Sequence, residues 1–229
     1  MRLFLFDVDG TLLNARGAGR RAFGCALEAV YGTAGPVDRY DWRGRTDPQI
    51  AFDLMRAAGL TDGEIAARLD TFFDTYAGEL ERLLGDGARV EVMPGAGEVV
   101  RRLGAREDAL VGLLTGNIER GARAKLRSTG LLPWFRVGAY GSDDADRRRL
   151  PAVACARARA LTGREFPFDR VTIIGDTPLD VDCARACGAR AVVVATGHHS
   201  GAELAACAPD LLFADLADVD RVLGALTHT

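Results

Sequence analysis

The chain has 229 residues, which is enough for one large domain or for one domain that carries an insert. It is 48% hydrophobic and 27% charged, as is usual for a globular protein, and its net charge of −3 gives no reason to expect a nucleic-acid partner. No apolar run is long enough to span a bilayer, and Asp7 comes too early for a signal peptide. We therefore expect a cytoplasmic protein without membrane partners.

The first eleven residues combine a buried strand with two carboxylates. Leu3 to Phe6 form a continuous apolar run, which predicts a strand buried on both faces. Asp7 and Asp9 follow, and residues two apart on an extended chain point the same way. Two like charges at the end of an apolar strand are costly to desolvate, and a cation would offset that cost. We interpret this stretch as a metal-dependent catalytic nucleophile.

Residues 14–90 show helical rather than strand periodicity. Thr61 to Glu64 has the spacing of a capping box, and the apolar residues behind it keep a period of 3.6 as far as Leu84. We predict an all-helical insert over residues 14–90. The core would then consist of residues 1–13 and 91–229.

From residue 94 onward, strands alternate with helices. The predicted strands are Ala109–Leu114, Val137–Tyr140, Arg170–Ile174, Ala189–Ala195 and Leu211–Phe213. Apolar strands that alternate with helices are typical of an α/β fold with a doubly wound, Rossmann-like parallel sheet. Right-handed crossovers bring the C-terminal ends of such strands to one edge, where ligands bind.

Polar clusters follow three of the predicted strands, at residues 7–11, 115–117 and 175–180. If they converge, four acids share one crevice: Asp7, Asp9, Asp176 and Asp180. A few hard oxygen ligands suit Mg²⁺. Thr115, with the backbone N–H groups of Gly116 and Asn117 at a helix start, would bind an anion. Acids, a divalent cation and an anion site together indicate phosphoryl transfer.

The three clusters resemble motifs of the haloacid dehalogenase (HAD) superfamily. Asp7-Val-Asp9-Gly10-Thr11 is similar to the first motif, Thr115-Gly116-Asn117 to the second, and Gly175-Asp176-Thr177-Pro178-Leu179-Asp180 to the fourth. The chain is identified as a member of the phosphoglycolate-phosphatase-like branch, which has a helical C1-type cap after the first motif. The resemblance implies a phosphoric monoester hydrolase that uses Mg²⁺ and acts on a small phosphorylated metabolite, phosphoglycolate-like or a sugar phosphate.

The resemblance also implies a role for each motif residue. Asp7 would be the nucleophile that forms an aspartyl-phosphate, and Asp9 would protonate the leaving oxygen and then activate water. Mg²⁺ would be held by the Asp7 carboxylate, the Asp9 backbone carbonyl and Asp176, with Asp180 supporting them or acting through water. Thr115, with Gly116 and Asn117 beside it, would bind the transferred phosphoryl group.

The third motif departs from the family, which usually places a lysine before the helix that precedes the fourth motif. Residues 146–151 contain no lysine, and we assign Arg147 to this role, with Arg148 second. Arginine keeps the charge and can bind phosphate bidentately, although its geometry differs. The only lysine, Lys125, ranks lower because about 10 helical residues separate it from Thr115, about 15 Å along the axis.

Three questions stay open at this point. A phosphomutase would use the same two acids, Asp7 and Asp9, and a non-catalytic binding module could share the fold. The intact acid set argues against such a module. The insert would act as a lid that excludes water and selects the substrate, and Arg45 could meet a substrate carboxylate or lie on the surface. The oligomeric state is also open.

Overall fold

The computed structural model describes residues 1–85 and 90–227. Residues 86–89 of the predicted insert and 228–229 of the predicted core lie outside the described residues. The strands are β1 Arg2–Phe6, β2 Leu13–Asn14, β3 Glu91–Val92, β4 Ala109–Thr115, β5 Val137–Tyr140, β6 Val171–Gly175, β7 Arg190–Val194 and β8 Leu211–Phe213. The helices are α1 Ala18–Tyr31, α2 Asp47–Ala57, α3 Asp62–Ala66, α4 Leu69–Leu84, α5 Ala96–Gly104, α6 Glu119–Leu126, α7 Leu150–Thr162, α8 Pro178–Cys187, α9 Gly201–Ala206 and α10 Val219–Thr227. None of these described helices is both long enough and apolar enough to cross a membrane.

Six parallel strands form the main sheet in the order β5-β4-β1-β6-β7-β8, which confirms the predicted α/β fold. The chain builds β4 and β5 on one side of β1 and then continues with β6 to β8 on the other. Phe6 is in register with Leu113 of β4 and Ile174 of β6. The C-terminal end of β1 therefore lies where the strand order reverses, the place where ligands bind in sheets of this kind.

The first strand is buried on both faces, as its continuous apolar run predicts. Phe4 and Phe6 belong to one apolar cluster, and Leu3 and Leu5 belong to a second cluster on the opposite face of the sheet. Side chains alternate between the faces of a strand, so a strand covered on both sides needs an apolar residue at every position. This covering leaves the strand's C-terminal end as the place for its polar residues.

In the described part of the chain between β2 and β3 lie the helices α1 to α4. The aromatic ring of Phe23 in α1 meets Phe72 and Tyr76 of α4 edge-on, with centroid distances of 4.8 and 5.0 Å. The capping box of Thr61 and Glu64 is present at the start of α3, as its spacing predicts. The antiparallel pairing of β2 with β3, at the two ends of this region, was not predicted, because strands of two residues carry no alternation to detect.

Candidate active site

Asp7 and Asp9 lie in different surroundings although they are two residues apart. Asp7 is buried, and its backbone N–H donates to the carbonyl of Ile174 at 2.9 Å, which extends the sheet ladder beyond β1. The side chain of Asp9 is 44% exposed. Gly10 follows with a φ of +83°, and the chain turns back so that the N–H of Leu12 reaches the Val8 carbonyl at 2.9 Å. The turn directs one carboxylate into the protein and leaves the other accessible.

Three buried aspartates bring their carboxylate oxygens to one point. One oxygen from each of Asp7, Asp176 and Asp180 lies within 4.8 Å of the others. The Thr11 hydroxyl donates to Oδ1 of Asp176 at 3.0 Å. A Cβ on Gly197 would lie 1.8 Å from Oδ2 of Asp176, so a side chain at that position would collide with this carboxylate. The structure thus brings together three of the four predicted acids, while the carboxylate of Asp9 lies outside this group.

The charges of this cluster fit a divalent cation. The guanidinium of Arg147 lies 3.3 Å from Oδ1 of Asp7 and pairs with Asp180, so three carboxylates and one guanidinium leave two negative charges when all are ionised. Burial raises the pKa of Asp7 to about 6, although Arg147 opposes the rise. Burial and the neighbouring Asp7 carboxylate raise the pKa of Asp176 well above its usual value. A small set of oxygen donors with excess negative charge matches the preference of Mg²⁺.

Asp180 also has a structural role at the start of α8. Its Oδ2 accepts hydrogen bonds from the backbone N–H and the hydroxyl of Thr177, at 3.0 and 2.7 Å, while its Oδ1 pairs with Arg147. The contact of Oδ2 with the Thr177 backbone belongs to the capping box at the start of α8. Helix capping is the structural role that an aspartate at this position could have instead of binding a metal. Asp180 therefore holds Thr177 and Arg147 in place while its own carboxylate faces the acid cluster.

Lys125 reaches the site, and the distance argument that ranked it low is wrong. Its ammonium group donates to Oδ2 of Asp9 and to Oδ1 of Asn117, both at 2.6 Å, and its side chain is 5% exposed. The helix α6 begins only at Glu119, so Lys125 lies six residues into it, about 9 Å along the axis. Helical side chains point toward the N-terminus, and a long lysine therefore returns toward the strand end.

Arg147 and Lys125 neutralise different aspartates. Arg147 is buried beside Asp7, whereas Lys125 is buried beside Asp9. Arg148, the second choice for the third motif, is exposed and pairs with Asp146 at 3.0 Å, away from the acids. The site therefore contains two buried cations, of which the sequence argument placed one.

The loop after β4 is arranged differently from the predicted helix start. The hydroxyl of Thr115 is buried and accepts from the backbone N–H of Asn117 at 3.3 Å and from its side-chain amide at 2.8 Å. That side-chain amide also donates to Oδ2 of Asp9 at 2.9 Å. Because α6 starts two residues after Asn117, Gly116 and Asn117 lie in the turn that precedes the helix. Thr115 and Asn117 thus connect this loop to Asp9.

Sequence reasoning missed Asp47, which lies in the insert and contacts the same loop. Its carboxylate is buried and accepts from the backbone N–H of Ile118 at 2.8 Å. Burial raises the pKa of Asp47 to about 7, against the opposing effect of Lys125. The Thr-Asp-Pro sequence at residues 46–48 indicates a helix start, which α2 confirms, but nothing local in that pattern signals a contact with a loop about 70 residues away.

A cavity of about 950 Å³ opens over the acids and is roofed by the insert. Five arginines of the insert line it: Arg16, Arg20, Arg39, Arg43 and Arg45. Arg43 is paired with Asp41 at 2.7 Å, whereas the guanidinium of Arg45 stacks on Tyr40 and comes only within 3.9 Å of Asp53. The sequence left open whether Arg45 meets a substrate carboxylate or lies on the surface. In the structure Arg45 lines the cavity.

The chain is similar to known proteins over most of its length. The chain is 28% identical over 226 residues to a phosphoglycolate phosphatase of Synechococcus elongatus, which covers 96% of this chain and 95% of that one. It is 33% identical over 174 residues to a phosphoglycolate phosphatase of Rhodospirillum rubrum, covering 76% and 68% of the two chains. A hydrolase from Pseudomonas syringae has a similar fold, with a TM-score of 0.72, full coverage of both chains and 22% identity. The family model of haloacid dehalogenase-like hydrolases matches residues 1–188, and the chain belongs to this family of enzymes.

Proposed function

We propose that this enzyme is a Mg²⁺-dependent phosphatase that hydrolyses a small phosphomonoester through an aspartyl-phosphate on Asp7. The observation that carries the proposal is the separation of two carboxylates on one turn. Asp7 belongs to the buried acid cluster, while Asp9 is half-exposed and held by Lys125. Neighbouring carboxylates in different environments are suited to different roles, here nucleophile and proton carrier.

The metal would be held by the carboxylates of Asp7 and Asp176 and by the backbone carbonyl of Asp9. When bound, Mg²⁺ would neutralise excess charge in the cluster and polarise the phosphoryl oxygens. Asp180 already accepts from Thr177 and Arg147, which favours a supporting role for it over direct ligation. Thr115, with Gly116 and Asn117, would bind the transferred phosphoryl group.

The reaction would proceed in two transfers to and from Asp7. In the first, an Asp7 carboxylate oxygen bonds to phosphorus while the ester bond breaks, and Asp9 gives its proton to the leaving oxygen. In the second, Asp9 takes a proton from water, which attacks phosphorus and releases phosphate from Asp7. Lys125 and Asn117 both bind Oδ2 of Asp9, so we assign the proton transfers to Oδ1. Arg147, 3.3 Å from Oδ1 of Asp7, would orient the nucleophile.

The insert, residues 14–90, would form the cap over a core of residues 1–13 and 91–229. Its arginines make the roof of the cavity positive, which suits an anionic metabolite such as a phosphoglycolate-like acid or a sugar phosphate. The relatives named phosphoglycolate phosphatase support the first of these classes. A phosphomutase would use the same acids, but it would return the phosphoryl group to the sugar, so its product differs.

The test is phosphate release from p-nitrophenyl phosphate with and without Mg²⁺. We expect activity that EDTA abolishes and that Asp7→Asn eliminates. Asp182→Asn, on the exposed side of α8, is the matched control and should retain activity. Equal turnover by Asp7→Asn, or turnover after complete metal removal, would falsify the mechanism. A panel of phosphorylated metabolites, assayed for both free phosphate and isomerised product, separates the phosphatase from the mutase and ranks the substrates.

A further inference from the structure

One short segment of the insert, Gly44–Asp47, contacts two loops at the catalytic end of the sheet, the one after β4 and the one after β5. The backbone N–H of Asp47 donates to the Gly116 carbonyl at 2.7 Å, and the Thr46 hydroxyl donates to the Ala145 carbonyl at 2.7 Å. The Gly44 carbonyl accepts from the guanidinium of Arg147 at 3.2 Å. We call these contacts between the insert and the core the seam.

The seam is close enough to exclude side chains on the core side. A Cβ on Gly116 would lie 2.0 Å from the Arg45 carbonyl oxygen, and one on Gly141 would lie 3.2 Å from the Cβ of Thr46. A Cβ on Gly44, whose φ is +70°, would lie 2.6 Å from the Thr177 hydroxyl. Contacts of backbone on backbone define the position of the insert more strictly than contacts between flexible side chains.

The carboxylate of Asp47 is the side chain that joins the seam to α6. It is 6% exposed and accepts from the backbone N–H of Ile118, the residue that precedes the first turn of α6. Asp47 is the first residue of α2, but the Thr46 hydroxyl, not the Asp47 carboxylate, caps that helix. The carboxylate is therefore used for a contact across the seam.

The insert also covers the C-terminal end of α6, where Lys125 lies. A Cβ on Gly19 of α1 would lie 3.4 Å from the Lys125 ammonium and 3.9 Å from the Tyr76 hydroxyl of α4. The insert thus holds the start of α6 through Asp47 and encloses the ammonium that α6 presents to Asp9. Moving the insert away would release the start of α6 and expose the ammonium group of Lys125.

We propose that Asp47 is a positioning residue that couples closure of the insert to the orientation of Lys125, Asn117 and Asp9. When the insert is closed over the core, the Asp47 carboxylate holds the backbone of Ile118. It thereby holds the turn that carries Asn117 and the helix that carries Lys125. Those two residues then hold Oδ2 of Asp9 in the orientation needed for proton transfer. The proposal rests on the proposed function for its effect on turnover, but the coupling itself is a property of the fold.

The test compares Asp47→Ala with two matched variants. Asp47→Asn keeps an oxygen that can accept from Ile118. Asp62→Ala removes another aspartate that begins an insert helix directly after a threonine cap. Asp62 is paired with Arg56 on the surface. Each protein is assayed for kcat and KM with p-nitrophenyl phosphate and for amide hydrogen exchange over residues 116–126. If Asp47→Ala does not fold, Asp47→Ser replaces it. The serine oxygen is bonded directly to Cβ, so it lies one bond nearer the backbone than the carboxylate oxygens of Asp47.

We expect Asp47→Ala to lower kcat at least about tenfold with a change in KM below about threefold, the signature of a group that acts in the transition state. Exchange over residues 116–126 should rise in this variant but not in β1 or β6. Asp47→Asn and Asp62→Ala should resemble the wild type in both measurements. The proposal is overturned if exchange over 116–126 is unchanged in Asp47→Ala, if exchange rises equally across the core, or if Asp47→Asn is as impaired as Asp47→Ala. If the wild type releases no phosphate, the proposed function fails, and the exchange measurement alone decides the coupling.

Discussion

The ammonium group of Lys125 lies 2.6 Å from Oδ2 of Asp9, although 116 residues separate them in the chain. The guanidinium of Arg147 lies 3.3 Å from Asp7, the partner of Asp9 in the first motif. The sequence predicts that one basic residue compensates the charge of these acids. In the structure two residues share this task, Arg147 beside Asp7 and Lys125 beside Asp9. Removal of each cation has a different expected outcome, because each lies beside a carboxylate with a different proposed role.

Removing Lys125 should impair chemistry more than binding. We expect Lys125→Met to lower kcat about 100-fold, within the range known for removal of one electrostatic contact from an active site, with little change in KM. Steady-state kinetics checks this, and an unchanged kcat would show that Asp9 works without Lys125.

Removing Arg147 should affect stability as well as turnover. Its guanidinium is the buried partner of both Asp7 and Asp180, and breaking a buried pair from one side costs about 3–5 kcal/mol. We therefore expect Arg147→Met to lower the free energy of unfolding measured with urea in EDTA, and Mg²⁺ to restore part of it. The exposed Arg148→Met serves as the control and should change stability by less than about 0.5 kcal/mol.

Alanine variants at the same two positions decide which cation fills the third-motif role. The sequence argument predicts that Arg147→Ala reduces turnover far more than Lys125→Ala does. The contact between Lys125 and Asp9 instead leads us to expect a large kcat defect in both. A defect confined to Lys125→Ala would transfer the role to the lysine.

The metal-free protein should become less stable as pH rises from about 5 to 7. Burial raises the pKa of Asp7 from 3.8 to about 6 and that of Asp47 from 3.8 to about 7, so the folded chain holds more protons than the unfolded chain in this window. The unfolding free energy then falls with pH by linkage. Mg²⁺ competes with protons for the acid cluster, so it should raise Tm more at pH 8 than at pH 5.

Thermal unfolding followed by circular dichroism, with EDTA or with Mg²⁺, measures both effects. Asp47→Asn cannot ionise, so it should flatten the slope above pH 6 in EDTA while keeping the response to Mg²⁺. A metal-free Tm that rises between pH 5 and pH 7 would contradict the assignment of these buried acids.

Substrate preference should depend on Arg45 more than on Arg43. Both line the cavity, but Arg43 is neutralised by Asp41, whereas Arg45 comes only within 3.9 Å of Asp53, whose Oδ2 already accepts from Tyr40. We expect Arg45→Gln to lower kcat/KM at least about tenfold for phosphoglycolate, which carries a second anionic group, and less than about threefold for ethyl phosphate. Arg43→Gln should change neither substrate by more than about threefold. Equal losses of kcat/KM on both substrates would mean that Arg45 positions its own loop and does not bind the anionic group of the substrate's leaving group.

The sequence alone was sufficient for the strands of the main sheet and for the family. A short continuous apolar run such as Leu3–Phe6, in a chain where such runs alternate with helices, favours a strand buried on both faces, and the sheet confirms this. Asp7, Asp176 and Thr115 lie at strand ends because a parallel sheet covered on both faces leaves only its edge for polar groups. These features follow from local patterns, so they could be predicted without coordinates.

Only the tertiary structure decided which residues complete the site. The reach of Lys125 depends on where α6 begins and how it packs, and an axial distance counted along the chain contains neither. The contact of Asp47 with Ile118 depends on how the insert is seated on the core. Hydrophobic periodicity determines which face of an element is buried, but the pairing of buried charges depends on the three-dimensional approach of elements distant in sequence, and that is where this protein acquires its second cation and its seam.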